Sequence, residues 1–318
     1  MVPNASEYRA YPAPMDAAGD LKVRLAVFEW LREQVDAYGR VLPRSLLLKG
    51  FEFEGERVPL MSPQGIFKPR VCELPLSITT TPNSPYKDAE AGPYLVSYAY
   101  RGTDPEFADN RGLRLAMERG LPLVYLFGAL PGRYIATWPV YVVGDDRPGL
   151  HFKISVGEAS RRNDIAGSGL SRASEDRDEI RREYVTATVR RRLHQQAFRE
   201  QVLDAYRVQC AICRLHHQEL LDAAHIVGDS EDDGDPVVSN GLALCKLHHA
   251  AFDSFFLAVR PDYTIEVRRS ILEESDGPML LVGLKQTHDQ TIQLPRSRAD
   301  RPDPARLQSR YERFLRAS

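Results

Sequence analysis

The chain is poor in cysteine and has no long apolar run. Three of its 4 cysteines lie between positions 210 and 245, and the fourth stands alone at Cys72. This clustering argues against a disulfide framework and favours metal ligation in a reducing compartment. No stretch approaches the roughly 18 apolar residues that a membrane-spanning helix needs, and residues 1–20 lack the basic and apolar segments of a signal peptide. We therefore expect a cytoplasmic protein without a membrane partner.

A large excess of positive charge is also missing, although basic residues are concentrated locally. The net charge of −2 argues against a protein that coats nucleic acid through its overall charge. Positions 161–207 nevertheless hold eleven arginines and no lysine, and arginine is well suited to bidentate phosphate contact. Acidic residues interleave with the first half of this stretch, which favours a solvated helix face there. We predict phosphate contact for the second half, beginning with Arg190, Arg191 and Arg192.

The periodicity of the whole chain predicts an α+β protein. Helical patterns cover 21–38, 110–119 and 178–206, the last as one helix or two, and a final helix follows Pro304. Strand-like patterns cover 45–53, 56–61, 65–67, 74–80, 94–100, 121–126, 134–143, 151–156, 263–267 and 279–282. The polar stretch 159–176 is the best boundary. The predicted domains are 1–160, which is strand-rich, a basic helical linker 161–205, and 206–318.

Two short motifs have the spacing of a structural zinc site. A C-x2-C pair and a C-x2-H pair are separated by 31 residues, and such pairs can close a tetrahedral site that stabilises a loop-rich segment. The predicted zinc ligands are Cys210, Cys213, Cys245 and His248. His216 and His217 follow the first pair, and either could replace His248 as a ligand.

Three further polar side chains accompany these motifs: His225, Asn240 and His249. Two imidazoles and an amide can hold a hydrolytic metal ion and deprotonate a water molecule. A purely structural zinc module would not require them. The combination favours a metal-dependent hydrolase over a simple zinc finger.

The segment 198–253 resembles the HNH endonuclease family, in particular its zinc-bearing restriction branch. The resemblance is carried by Cys210-x2-Cys213, Leu221-Asp-Ala-Ala-His225-Ile226, Asn240-Gly-Leu-Ala-Leu-Cys245 and His248-His249-x2-Phe252-Asp253. It implies a ββα-metal fold around one divalent ion such as Mg²⁺ or Mn²⁺. It also implies that His225 is the general base and that His249 binds the catalytic ion. Asn240 would fix the loop and orient His225, or approach the metal through its carbonyl.

One position departs from this family pattern. Many members carry an acidic metal ligand directly before the base histidine, where this chain has Ala224. Asp222 lies three residues before His225, and on a strand this odd offset places it on the opposite face. A residue directly before His225 would also face away from it, so parity does not settle the role of Asp222, which stays a weak candidate ligand. Asp253 is an alternative ligand, although a structural hydrogen bond is the favoured role for it.

Motifs in the first half of the chain resemble the N-terminal half of modification-dependent HNH restriction enzymes. They are Gly65-Ile-Phe-Lys-Pro-Arg70, Leu74-Pro-Leu-Ser-Ile-Thr79, Tyr98-Ala-Tyr100-Arg101-Gly102-Thr103 and Asn110-x-Gly112-Leu-Arg114. The resemblance implies an SRA/PUA-like barrel, which takes a flipped modified base into a pocket. The candidate DNA contacts are Tyr98, Tyr100, Arg101, Asp104, Asn110 and Arg114. By parity, the two tyrosines share one strand face, which could line either a pocket or the core.

These features together predict a restriction endonuclease that acts on double-stranded DNA carrying a modified cytosine of the 5-methylcytosine type. Cutting both strands with one site per chain would require two copies on the DNA, so we expect dimerisation. Two alternatives remain open at this stage. One is a nuclease with little base preference, and the other is a zinc-stabilised DNA-binding regulator with an inactive nuclease fold, which Ala224 favours.

Overall fold

The computed structural model describes residues 17–81, 95–156, 172–228, 231, 233–275 and 277–317. The chain divides into two compact units, Met1–Arg192 and Leu193–Ser318. Both contain helices and strands, so the predicted α+β class is confirmed. No helix in the described ranges is long and apolar enough to cross a membrane.

A mixed sheet organises the first unit. Its helices are α1 (Ala17–Tyr38), α2 (Arg44–Lys49) and α3 (Ala108–Glu118). Its strands are β1 (Val41–Pro43), β2 (Phe51–Phe53), β3 (Glu56–Val58), β4 (Ile66–Phe67), β5 (Ser77–Thr80), β6 (Val96–Ala99), β7 (Leu123–Leu130), β8 (Arg133–Asp146) and β9 (His151–Val156). Seven strands form one sheet in the order β4-β5-β7-β8-β9-β6, with β1 also paired to β8. The β5–β7 pair is parallel, and the other pairs in this sheet are antiparallel.

Helix α1 buries its apolar stripe and one ion pair. Val23, Val27 and Leu31 are fully buried at four-residue spacing, which places them on one face of the helix. Arg24 is also fully buried and donates to Asp20 at 2.7 Å. Its Nη1 donates to the carbonyls of Pro75 and Pro122. The buried charge is therefore both paired and hydrogen-bonded, as its burial requires.

The segment 45–53 is not extended throughout, which corrects the sequence prediction. Helix α2 occupies Arg44–Lys49, and the strand begins only at Phe51. The run Leu46-Leu47-Leu48 consists of good helix formers. Gly50 then ends the helix at φ +59, where a Cβ atom would lie 1.9 Å from the carbonyl oxygen of Val58. A glycine at this turn is therefore required by both conformation and space.

One long helix connects the two units. Helix α4 (Arg172–Ala205) is continuous, which selects the single helix among the two predicted alternatives. The boundary between the compact units falls within it, at Arg192 and Leu193. The predicted boundary at 160/161 lies outside the described residues. Of the three arginines predicted to contact phosphate, Arg191 and Arg192 are exposed and Arg190 is half-buried.

A β-hairpin followed by a helix forms the centre of the second unit. Strands β10 (Leu221–His225) and β11 (Gly241–Cys245) pair antiparallel, and α5 (Lys246–Asp253) follows directly. The predicted ββα arrangement is therefore present. The remaining elements are β12 (Leu257–Val259), β13 (Ile265–Val267), α6 (Arg269–Glu273), α7 (Pro278–Gly283) and α8 (Pro304–Ala317). The segment 279–282, predicted as a strand, lies in α7, which corrects that prediction.

Candidate metal and nuclease site

The four predicted zinc ligands lie together in one cluster. The ligand atoms of Cys210, Cys213, Cys245 and His248 all lie within 4.8 Å of one another. Nδ1 of His248 lies 3.5 Å from Sγ of Cys210 and 3.1 Å from Sγ of Cys245. Zinc bond lengths of about 2.0–2.3 Å in a tetrahedron separate the ligand atoms by roughly 3.5–3.8 Å, so the spacing fits such an ion. This cluster includes neither His216 nor His217.

Local backbone geometry explains why the two motifs meet. The amide of Arg214 donates to the carbonyl of Cys210 at 3.0 Å, which closes the first motif into a turn. The amide of Ala211 donates to the carbonyl of Ala243 at 2.7 Å, which attaches this turn to β11. Cys245 ends β11 and caps α5, so that His248 lies one turn into the helix.

A contact from α7 sets the orientation of His248. Its Nε2 donates to the carbonyl of Gly283 at 2.7 Å, which leaves Nδ1 directed at the sulfur atoms. Metal-bound histidines commonly donate a hydrogen bond from their second ring nitrogen to such an acceptor, which fixes the tautomer. Sequence reasoning missed this contribution because the segment was taken for a strand.

The electrostatics of the cluster suit a cation. Hydrogen bonds from Cys210 and Cys213 lower the pKa of the Cys245 thiol well below its usual range. Burial alone would lower the pKa of His248, but its hydrogen bonds with Cys210 and Cys245 outweigh burial and raise the pKa to about 10. The same contacts act in the opposite direction on Cys213, whose hydrogen bonds with Cys210 and Cys245 raise its pKa. Negative charge is thus concentrated on Cys245, and binding of a metal ion would require the other thiols to lose their protons as well.

The predicted base, His225, lies at the end of β10 beside α4. Its ring stacks on Phe198 with a centroid separation of 4.0 Å and an interplanar angle of 19°, and its Nε2 is buried. Gly241 lies opposite His225 in the hairpin. A Cβ atom at Gly241 would lie 2.4 Å from Cγ2 of Val202 and 2.9 Å from Cζ of Phe198. The hairpin end therefore packs closely on α4, and this packing holds the His225 ring.

Asn240 fastens the loop that follows His225. It is fully buried, and its Oδ1 accepts from the amide of Val227 at 2.9 Å. Its Nδ2 donates to the carbonyls of Val227 and Asp235 at 3.0 and 3.1 Å. The amide of Ile226 also donates to the backbone carbonyl of Asn240 at 2.9 Å. The resemblance implies that Asn240 either fixes the loop or approaches the metal, and these contacts are of the loop-fixing kind.

Asp222 and His249 are brought together across the hairpin and α5. Nδ1 of His249 lies 3.7 Å from Oδ2 of Asp222, and its Nε2 lies 3.2 Å from Oδ2 of Asp253. The nearby Asp222 carboxylate raises the pKa of His249 above its ordinary value despite opposition from burial. The His249 ring in turn, helped by Lys246 at 2.8 Å, holds the pKa of Asp222 well below its usual range. Two of the predicted ion ligands are therefore adjacent.

In the first unit, the two predicted tyrosines point into the interior. Tyr98 and Tyr100 are both 6% exposed, as expected if their shared face belongs to the core. The Tyr98 hydroxyl donates to the carbonyl of Thr79 at 3.2 Å. Tyr100 stacks on Phe152 at 4.6 Å and its hydroxyl hydrogen-bonds to Asp145.

The polar members of the predicted DNA-contact set surround the start of α3. Asn110 is fully buried, and its Oδ1 accepts from the amide of Arg101 at 2.9 Å. Its Nδ2 donates to the carbonyls of Arg101 and Asp104, at 3.2 and 2.8 Å. Arg114 donates to Asp145 at 2.7 Å, and the Arg101 guanidinium pairs with Asp109. Asn110 thus closes a loop in the same manner as Asn240, while Arg101 and Asp104 reach the surface.

The comparison with known protein families agrees with the local geometry. Residues 210–260 match the model of the family described as HNH endonuclease. A solved structure named "Modification dependent TagI restriction endonuclease" is similar at 15% identity, covering 76% of this chain and 81% of that one, with a TM-score of 0.28. No curated protein matches.

The family match and the ββα unit define the class of the second unit. The segment 210–260 is an HNH endonuclease domain, and the protein is accordingly a nuclease. This domain contains the candidate metal cluster, His225, Asn240 and His249. It ends before α7 and α8, whose contributions the family match does not describe.

Proposed function

We propose that this protein is a DNA endonuclease that hydrolyses phosphodiester bonds with a divalent ion and cuts in response to a modified cytosine. The observation that carries the nuclease chemistry is the contact of His249 with Asp222, which lies on the same hairpin strand as His225. A carboxylate suits Mg²⁺ or Mn²⁺, and an imidazole suits a transition-metal ion such as Ni²⁺, so the pair can hold a divalent ion. When bound, this ion supplies positive charge beside the phosphate and the leaving oxygen.

The residues of this chain have distinct roles in the proposed reaction. His225 accepts a proton from the attacking water, which a neutral imidazole can do near pH 7. The Phe198 ring holds the imidazole plane, and Asn240 fixes the loop directly after the base. His249 and Asp222 hold the divalent ion. Zn²⁺ in the cluster of three cysteines and His248 would maintain the hairpin and α5 in register.

DNA reading is assigned to the first unit in this proposal. Its support is the resemblance of the N-terminal motifs to modification-dependent enzymes and the separate sheet that carries them. Because Tyr98 and Tyr100 are buried, direct contact is proposed mainly for the accessible Arg101 and Asp104. Tyr98, Tyr100, Asn110 and Arg114 then shape the surface from beneath. Arg190, Arg191 and Arg192 would contact phosphates, and two copies of the chain would cut both strands.

Cleavage of matched duplexes tests this proposal. Plain, 5-methylcytosine and 5-hydroxymethylcytosine DNAs of one sequence should be incubated with Mg²⁺, Mn²⁺, Co²⁺ or Ni²⁺. We expect ion-dependent cutting of a modified duplex and loss of cutting in His225→Ala. Equal cutting of all three DNAs would refute modification dependence while leaving the nuclease intact. Binding without cutting under every ion would instead favour a regulator.

A further inference from the structure

A buried arginine joins the last helix, α8, to the end of α5. Arg310 is 8% exposed, and its Nη2 donates to the carbonyl of Phe252 at 2.9 Å. Its guanidinium carbon lies 4.6 Å from the ring centroid of Phe252 and 4.3 Å from that of Phe255. Helix α8 lies about forty residues beyond the segment matched by the nuclease family. Its contribution to the site therefore has to be derived from its contacts.

The charge of Arg310 is costly where it lies. Burial lowers its pKa, and its buried Nε makes no hydrogen bond within the described part of the chain. An apolar side chain of similar volume could fill the space between two phenylalanine rings at lower cost. Anchoring α8 is therefore an incomplete explanation for a guanidinium at this position. A charged neighbour that needs a cation would complete it.

Asp253 is that neighbour. Its Oδ1 lies 3.8 Å from Nη2 of Arg310, and its Oδ2 lies 3.2 Å from Nε2 of His249. The Asp253 side chain is 58% exposed, and holding such a side chain in one rotamer costs conformational entropy. The Arg310 guanidinium approaches this carboxylate from the buried side. The result is a continuous series of contacts from α8 through Asp253 to His249 and on to Asp222.

We propose that Arg310 is a positioning residue for the divalent-ion site. By restraining Asp253, it holds Nε2 of His249 and so presents Nδ1 to the ion beside Asp222. A carboxylate on the second ring nitrogen is the usual partner that orients a metal-binding histidine. The inference rests on the proposed function, because it assigns His249 to the ion. It adds α8 to the nuclease site.

Mn²⁺ binding tests the inference apart from activity. It is measured by electron paramagnetic resonance on the zinc-loaded full chain in the absence of DNA. The site is defined as the Mn²⁺ signal that His249→Ala abolishes. We expect Arg310→Met and Asp253→Asn each to weaken this binding by about 10- to 100-fold. Arg310→Lys should retain part of the affinity. Arg316→Met is the matched control, since Arg316 is exposed on the same helix and contacts only Glu312 among the described hydrogen bonds.

The double variant Arg310→Met/Asp253→Asn separates positioning from general stability. If Arg310 acts through Asp253, the double variant loses no more affinity than Asp253→Asn alone. If the losses of Mn²⁺ affinity in the two single variants multiply in the double variant, Arg310 acts independently of Asp253, and the inference is overturned. Normal Mn²⁺ binding by Asp253→Asn would overturn it as well, even if Arg310→Met fails to fold.

Cleavage measurements distinguish this inference from the proposed function. A positioning defect should lower the cleavage rate at limiting Mn²⁺ and be largely restored at saturating Mn²⁺. If the wild-type protein cuts DNA and Arg310→Met cuts equally well at limiting Mn²⁺, only the inference fails. If the wild-type protein shows neither cutting nor a His249-dependent Mn²⁺ signal, both fail.

Discussion

Asn240→Asp should loosen the nuclease site without changing its shape. The substitution keeps the oxygen that accepts from Val227 but replaces the amide nitrogen that donates to the carbonyls of Val227 and Asp235. Two hydrogen bonds of about 1 kcal/mol each are lost, and a buried carboxylate then faces two carbonyl oxygens at a further cost of about 1–3 kcal/mol. The expected destabilisation is therefore about 3–5 kcal/mol, a large fraction of the stability of an ordinary domain.

The pH dependence of this variant has a definite sign. Burial beside two carbonyl oxygens should raise the pKa of the introduced carboxyl group above its unfolded value. The protonated group can donate one of the two lost hydrogen bonds. The destabilisation should therefore be largest near neutral pH and become smaller as the pH falls towards the unfolded pKa of about 4.

Hydrogen exchange measures the effect locally, and the chain supplies a matched control. Asn110 is equally buried and makes the same three kinds of hydrogen bond in the first unit. Asn240→Asp should speed exchange at Ile226 and Val227 and reduce cutting. Asn110→Asp should speed exchange at Arg101 and leave exchange at Val227 unchanged. Unaltered protection at Val227 together with full activity in Asn240→Asp would show that the Asn240 side chain does not hold this loop.

Three other predictions concern packing, metal removal and alkaline stability. Gly241→Ala should cost about 1–3 kcal/mol by overpacking Val202 and Phe198 and should slow cleavage, which urea denaturation and a cleavage assay would check. Cys213→Ser should lower bound zinc, measured by elemental analysis, and reduce protection from hydrogen exchange in the second unit but not in the first. Burial and Asp20 raise the Cys72 pKa from 9.0 to about 12, so the folded state holds this proton more tightly and stability should fall as pH rises through that window. In Cys72→Ala the unfolding free energy should fall less steeply with pH in this window. An identical pH dependence in both proteins would count against a buried neutral thiol.

The nested metal and catalytic motifs were predictable because their information is local. Ligand spacing of two residues fits a single turn, and the Cys245-x2-His248 pair spans a strand–helix junction that the sequence marks clearly. Phe198 lies in the helical pattern 178–206 and at the start of the segment that resembles the HNH family, but neither observation assigns it a contact. Its stacking on His225 depends on how α4 packs against the hairpin, and periodicity carries no such information.

Short apolar runs explain the two errors in secondary structure. Such runs fit a buried strand or a helix equally well until flanking residues are considered. Pro278 at the first turn of α7 indicates a helix start, and Gly50 indicates the end of α2. In α7 the apolar residues Met279 and Val282 are exposed, so their hydrophobicity did not reflect burial.

Long-range contacts account for the rest of the site. Strand parity relates Asp222 to His225 on the same strand, but the partner of Asp222 is His249 on another element. Arg310 lies 57 residues after Asp253 in the sequence, and no spacing rule connects them. Tyr98 and Tyr100 show what strand parity cannot decide. Parity correctly places both side chains on one face of the strand, but it does not tell whether that face lines a pocket or the core.

The most direct test compares cleavage of a susceptible duplex by wild-type protein and His225→Ala at saturating Mn²⁺, with both proteins zinc-loaded and equally protected from hydrogen exchange. We expect a rate loss of about 10²- to 10⁴-fold in His225→Ala, the usual contribution of a general base. Equal cutting rates in the two folded proteins would show that His225 is not the base, and the assignment of this hairpin as the nuclease site would be wrong.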